Sequence, residues 1–251
     1  MNSVSILGTK ICQVTRDQAM STAEEFLLSP KPHYIFTPNP EMVVDAQRDQ
    51  SFAEALNQGD LNLCDGFGLS LFAHTPRIPG ADFMLSLCAL AETNNKSIYL
   101  LGSGDEKTVI ATKENLLAKF PKLKIVGTDP GYKINLMTGE AGSWLDFDSR
   151  ARDEAMHRLI MAAPDILFIA FGHNKQEQWI INNVPDLPSV RIVMGVGGAF
   201  DFISGKITRA PRFLRTFGLE WLWRLLLEPK RIKRILKAVV VFPYLILKEK
   251  K

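Results

Sequence analysis

Cysteine is scarce: the chain holds only Cys12, Cys64 and Cys88, scattered, odd in number and without a CxxC pair. That excludes a disulfide scaffold and a zinc ribbon and fits a reducing compartment. Long hydrophobic runs are missing as well. The longest, Ala238 to Leu247, spans ten residues and is interrupted by Pro243, about half of the roughly 20 needed to cross a bilayer. Met1 to Ala19 lacks the apolar core of a secretory signal. There is no internal repeat and no low-complexity tract. With 46% hydrophobic and 23% charged residues, enough apolar surface exists to offset chain entropy, so disorder is not the main state. The expectation is a cytoplasmic chain that touches the inner face of a membrane without spanning it.

What is present is unevenly distributed. Residues 209–251 carry a net charge of +9, against −6 over residues 1–208. An acidic body with a basic tail points to a polyanionic partner: an anionic membrane surface, a nucleic acid or a phosphorylated substrate. In the body, short Ile/Val/Leu/Phe runs alternate with amphipathic stretches. Strands are expected at Tyr34–Thr37, Leu61–Cys64, Ser97–Leu101, Lys124–Thr128, Ile166–Phe171 and Arg191–Gly195. Helices are expected at Glu41–Asn57, Ala81–Asn94, Glu106–Lys119, Ser149–Ala162 and Lys175–Asn183. Runs without polar alternation suit strands buried on both faces. The pattern predicts an α/β, Rossmann-like doubly wound, mostly parallel sheet over residues 1–208 with a helical C-terminal appendage over 209–251. The appendage should break at Glu228-Pro229.

In such sheets ligands bind beyond the carboxyl ends of the strands. After the first strand comes Thr37-Pro38-Asn39-Pro40-Glu41, either a ligand edge or a helix cap with Pro40 in the first turn. After the second comes Asp65-Gly66-Phe67-Gly68, where a carboxylate could serve as general base beside a close backbone approach, or simply make a turn. Arg77 precedes Pro79-Gly80-Ala81-Asp82 and suits a phosphate or solvent. Gly102 and Gly104 sit between a strand and a helix and expose N–H groups suited to a diphosphate. The full dinucleotide fingerprint fails at Lys107, and no Walker loop is present. Asp146 and Asp148 form a DxD, which either holds a metal ion or caps the next helix. Gln176 offers donor and acceptor to sugar hydroxyls, and His173 is either an acid–base group or solvated. Gly197 permits close approach, and Asp201 binds a hydroxyl or caps a helix. Arg224, Arg231 and Arg234 fall near one face if a helix runs through them. With the apolar stretch Val239–Leu247 they favour anionic lipid over nucleic acid.

Taken in order, T-P-N-P-E-M at 37–42, D-G-F-G at 65–68, R-I-P-G-A-D at 77–82, Q-E-x-W at 176–179, G-V-G-G-A-F-D at 195–201, R-A-P at 209–211 and E-W-x-x-R-L with E-P-x-R at 220–231 resemble the WecG/TagA/CpsF family of bacterial glycosyltransferases (glycosyltransferase family 26). The resemblance runs from about residue 4 to 247. It implies an inverting enzyme with no cofactor and no bound metal, moving a sugar from a UDP-sugar to a polyprenyl-diphosphate-linked acceptor at the cytoplasmic membrane. The setting would be cell-surface polysaccharide synthesis of the teichoic acid or enterobacterial common antigen type. It implies Asp65 as catalytic base, Thr37, Asn39, Arg77 and Gln176 as pocket residues, and Arg224, Arg231 and Arg234 as the groups that close over the diphosphate. Members of the family differ in donor, among N-acetylmannosamine, its uronic acid and glucose, and the resemblance leans to N-acetylmannosamine. The family usually has a proline shortly before Q-E, and His173-Asn174-Lys175 stand there instead, a departure that bears on the donor.

Three rivals carry their own signatures. A metal-dependent transferase would use Asp146 and Asp148. A nicotinamide oxidoreductase would use the Gly102/Gly104 turn, although the following strand ends at Gly127-Thr128 with only Asp129 nearby to bind a ribose. A membrane-docking scaffold would bind a nucleotide-sugar without turnover and tolerate loss of Asp65. The apolar face of the tail is also compatible with a homo-oligomer.

Overall fold

Residues 1–140, 142–211, 213–214 and 218–249 are described in a computed structural model of the chain; Arg212, Arg215, Lys250 and Lys251, counted above with the basic tail, lie outside them. The chain opens with an antiparallel hairpin, β1 (Ser3–Ile6) and β2 (Thr9–Cys12), turned at Leu7-Gly8. Helix α1 (Arg16–Leu28) follows, started by a capping box in which Thr15 and Gln18 bond each other's backbone N–H. Then come β3 (His33–Phe36), α2 (Pro40–Ala46), α3 (Gln50–Asn57), β4 (Leu61–Asn62), α4 (Phe67–Ala73) and α5 (Gly80–Thr93). The middle of the chain runs β5 (Ser97–Gly102), α6 (Glu106–Lys119), β6 (Lys124–Asp129), the hairpin β7 (Ile134–Gly139) and β8 (Gly142–Phe147), then α7 (Ser149–Ala162). It continues through β9 (Ile166–Ala170), α8 (Lys175–Asn183), β10 (Ile192–Gly195) and α9 (Ala199–Ile203).

The main sheet has six strands in the order β4-β3-β10-β9-β5-β6, and every adjacent pair is parallel. This is the expected doubly wound α/β arrangement. Strand β9 is buried at all five positions, as a strand covered on both faces must be. One face sends Ile98, Leu100, Ile166, Phe168, Ile192 and Met194 into a core completed by α1, α5, α6 and α9. The other sends Phe36, Leu101, Leu167, Ile169 and Val193 into a core completed by α3, α7 and α8.

Two expectations need correction. The helix expected over 41–57 is two helices, because Asp49 turns its carboxylate to the N–H groups of Phe52 and Ser143 and starts α3 afresh. Gly102 is required by packing: with φ at +114°, an added Cβ would lie 2.7 Å from the Ala170 carbonyl carbon. The N–H of Gly104 is spent on the Pro130 carbonyl at 2.9 Å.

The tail is helical. Helix α10 (Glu220–Leu227) ends at Glu228, where Pro229 begins a 3₁₀ turn over Pro229–Arg231. Helix α11 (Ile232–Leu236) passes through a π-helical stretch, Lys237–Val241, into α12 (Phe242–Glu249). The wide turn falls just before Pro243, which has no N–H to return to the preceding turn. Phe242 and Ile246 are buried with Ile6, Ile11, Val43, Val44, Leu69 and Ala73 in a third core. The last helix is thereby fastened to the N-terminal hairpin, α2 and α4.

Candidate active site

The loops after β3, β4, β9 and β10 converge with the tail around one cleft of about 870 Å³. Asp65, just beyond β4, lines it, and its N–H donates to the Pro38 carbonyl at 2.9 Å. Gly66 has φ at +114°, and a Cβ there would lie 2.7 Å from Pro40 Cδ, so only glycine lets the two loops nest. Asp65 Oδ2 accepts from the Gly80 N–H at 3.2 Å, and Oδ1 lies 3.5 Å from Arg77 Nε. The side chain keeps 29% of its surface, on the cleft side; elsewhere protein atoms enclose it. That enclosure pushes its carboxyl above the usual aspartate value, although Arg77 and the Gly80 N–H pull the other way.

Thr37 lies against Gly80, where a Cβ would approach its hydroxyl to 3.0 Å. Asn39 lines the same wall while its side chain accepts from the Met42 N–H and caps α2, so the capping role weighed from sequence is present in addition. Gln176 lines the cleft but is already employed. Its Oε1 accepts from the Gly197 N–H at 2.9 Å and its Nε2 donates to Glu177 Oε1 at 2.8 Å. The amide thus ties the start of α8 to the loop after β10. Gly197 and Asp201 also line the cleft, with Asp201 in the first turn of α9 and 3.8 Å from Lys206 Nζ.

Although Pro229 breaks the helix, the tail arginines converge, because Glu228 at the break binds two of them. Its Oε2 accepts from Arg224 Nε and from Arg231 Nε, each at 2.9 Å. Arg224 also lies over the Phe202 ring, 4.9 Å from its centroid, and rests on Gly198. Its Nη2 is buried and has no hydrogen-bond partner among the described residues, a costly state for a cation unless an anion takes the place. Burial, and then the charges of Arg224 and Arg234, pull Arg231 below the usual arginine value. Arg234 donates from Nε to both oxygens of Glu41, at 2.7 and 3.0 Å. Against the solvated reading, His173 is wedged between Asp45, 3.1 Å from Nε2, and Arg234, 3.3 Å from Nδ1.

Gly102 and Gly104 do not line the cleft; Ser103 between them does. Asp146 and Asp148 are also outside it. Asp146 sits on the β7–β8 hairpin beside Asn135, and Asp148 caps α7 by accepting from Arg150 and Ala151 N–H groups. Glu41, Asp45 and His173 bring ligand atoms within 4.8 Å of one another, but Arg234 and Lys237 already engage both carboxylates, so the set does not fit a divalent ion. Cys64 is no nucleophile: burial, reinforced by Asp65, pushes its thiol up to about 12.

Glu220, Arg209 and Asp82 were not foreseen as site residues. Glu220 Oε2 binds Arg77 Nη2 at 2.8 Å, and its Oε1 binds Arg209 Nε at 3.3 Å. Arg209 holds both Asp82 oxygens, at 2.6 and 2.9 Å. The R-A-P and E-W segments contain two of these residues, but their pairing across 143 positions (Arg77 with Glu220) leaves no local pattern to find.

A family model described as the glycosyl transferase WecG/TagA/CpsF family matches residues 4–251. N-acetylglucosaminyldiphosphoundecaprenol N-acetyl-beta-D-mannosaminyltransferases from Staphylococcus aureus strains NCTC 8325 / PS 47 and MRSA252 are similar, each 29% identical over 256 residues, covering 99% of this chain and 93% of the relative.

Proposed function

Because the chain belongs to the WecG/TagA/CpsF glycosyl transferase family, we propose that it is an inverting, metal-independent enzyme moving a sugar from UDP to a polyprenyl-diphosphate-linked sugar. N-acetylmannosamine is the donor sugar that the similar Staphylococcus aureus enzymes name, with N-acetylglucosaminyldiphosphoundecaprenol as acceptor, and both are carried over here as part of the proposal. The observation that carries the reading is a cleft with a raised carboxylate, Asp65, on one wall and a buried guanidinium edge, Arg224 Nη2, in need of an anion on another.

Asp65 takes the proton from the acceptor hydroxyl. The oxygen attacks the anomeric carbon as the bond to the β-phosphate oxygen of UDP breaks on the opposite face, so configuration inverts. A carboxylate whose proton affinity is raised is, in its ionised form, a stronger base than an ordinary aspartate. The leaving diphosphate gathers negative charge, which guanidinium N–H groups from Arg224 and Arg231 are placed to receive. Thr37 and the backbone at Gly197 and Gly198 shape the wall against which the sugars lie.

Among the described residues no helix is long and apolar enough to cross a membrane. The tail exposes Leu226, Leu236, Val240, Tyr244 and Leu247, interspersed with Lys230, Lys233 and Lys248. That combination suits a helix lying on anionic lipid at the inner face, where a polyprenyl acceptor is anchored.

The test is UDP release from a panel of UDP-sugars, with a short-chain polyprenyl-diphosphate sugar and EDTA present. Wild type should release UDP from one donor only when acceptor is added, and Asp65→Asn should lose about 10²–10⁴-fold in rate. Release that needs a divalent ion, or persists at the wild-type rate in the variant, overturns the mechanism.

A further inference from the structure

Resting on the transferase reading, the charge chain between the tail and the cleft carries one more step. Glu220 stands in the first turn of α10, and its side chain is only 16% exposed. It shares Arg77 with Asp65, and unequally: the guanidinium is 2.8 Å from Glu220 and 3.5 Å from Asp65. Glu220 is itself held by Arg209, which is fixed on Asp82 of α5. The approach of α10 is set by Gly218, with φ at +71°, where a Cβ would lie 2.7 Å from Phe67 Cβ in the D-G-F-G segment. A docked tail therefore brings a second carboxylate to the guanidinium of Arg77, at Nη2 beside the Nε that faces Asp65.

We propose that Glu220 is a positioning residue which, when the tail is docked, draws the Arg77 guanidinium off Asp65 and leaves that carboxylate free to accept the substrate proton. With the tail away, Arg77 has Asp65 as its neighbouring carboxylate and closes on it. Asp65 is then neutralised and is a poor base, so a donor bound without tail docking is protected from attack by water. With the tail docked, the second negative charge weakens the ion pair and strengthens the base. The direction of the Asp65 shift agrees, since Glu220 acts to raise it and Arg77 to lower it. The charged groups around Asp65 and Glu220 among the described residues are Arg77 from the loop between α4 and α5, Arg209 from the tail and, beyond Arg209, Asp82 from α5.

The test is the pH profile of acceptor-dependent UDP release for wild type, Glu220→Gln and Glu220→Asp in the full-length chain. Glutamine keeps the shape and hydrogen-bonding capacity and removes only the charge. Without that charge Arg77 neutralises Asp65 more fully, so the acid limb of kcat/KM moves to lower pH, by roughly one unit. At neutral pH kcat falls about threefold, following the weaker base, with KM within about twofold of wild type. Glu220→Asp keeps the charge and restores the limb towards its wild-type position. Limited proteolysis of the tail in each variant reports docking. An unchanged limb overturns the inference, and so does loss of activity at every pH with a protease-open tail, since Glu220 would then only fasten the tail. Wild type that releases no UDP in the same assay sinks the transferase reading itself; an active wild type with an unaffected Glu220→Gln sinks this inference alone.

Discussion

Glu177 shows how a single residue can weaken the fold in order to build the site. Its side chain is fully buried at 0% exposure, Oε1 accepts from Gln176, and Oε2 has no partner among the described residues. Burial raises its carboxyl above the ordinary glutamate value. A raised carboxyl binds its proton more tightly in the folded chain than in the unfolded one. The stability it confers is therefore complete below the unfolded value, about 4.3, and is lost as pH rises through the folded one. Glu177→Gln keeps the Gln176 contact and removes the ionisation. Its melting temperature should match wild type near pH 4 and exceed it at about pH 7. Thermal melts across pH measure this, and a variant less stable at neutral pH contradicts it. The residue is adjacent to Gln176, whose amide fixes the Gly197 loop, which gives the chain a reason to keep a buried acid.

Among the elements, the tail is fastened at its far end by one aromatic anchor. Phe242 is 0% exposed and meets Phe72 edge-on at 5.8 Å. Phe242→Ala should remove about 3–5 kcal/mol of packing from that end. Hydrogen exchange should then rise in α12 and the π-helical stretch while β5, β9 and β10 stay protected; equal loss of protection in the sheet would contradict the tail's being a separate local unit. The sheet strands were legible in sequence because burial on both faces makes them uniformly apolar, as Ile166–Ala170 shows. Helix α1 left a signal in its Thr15-x-x-Gln18 capping box that apolar periodicity alone does not register. The β1–β2 hairpin was missed because its strands are only four residues long, and the β7–β8 hairpin because it is partly exposed, with Leu136, Met137 and Trp144 open to solvent. Asp65, Arg77 and the tail arginines were legible through strand-end position and resemblance. Glu220 and Arg209 were not, because their meaning lies in which partners the fold brings to them.

For the whole molecule, the charge asymmetry underlies the membrane docking proposed above. The basic tail lies over an acidic body, with Arg234 on Glu41 and Lys237 on Asp45, while Lys230 and Lys233 remain exposed. Binding to vesicles containing phosphatidylglycerol should exceed binding to phosphatidylcholine vesicles and weaken between about 0.1 and 1 M salt, as the screening length falls from about 10 to 3 Å. Lys230→Gln and Lys233→Gln should each weaken it by about fivefold; co-sedimentation indifferent to both lipid charge and salt would contradict the proposed orientation. The strand order has a consequence of another kind. Strand β10 lies between β3 and β9 and, among the described residues, joins the β4-β3 pair to the β9-β5-β6 trio in the sheet. During synthesis, at roughly 5–20 residues per second, the ribosome delivers every other strand first. For about one to a few seconds after β9 is made, the nascent chain holds two unjoined sheet fragments with bare edges on β3 and β9. The chain is then open to pairing with its neighbours on a polysome, and the strand that ends this exposure also carries the loop bearing Gly197, so protection of the nascent sheet and completion of the cleft wall arrive together.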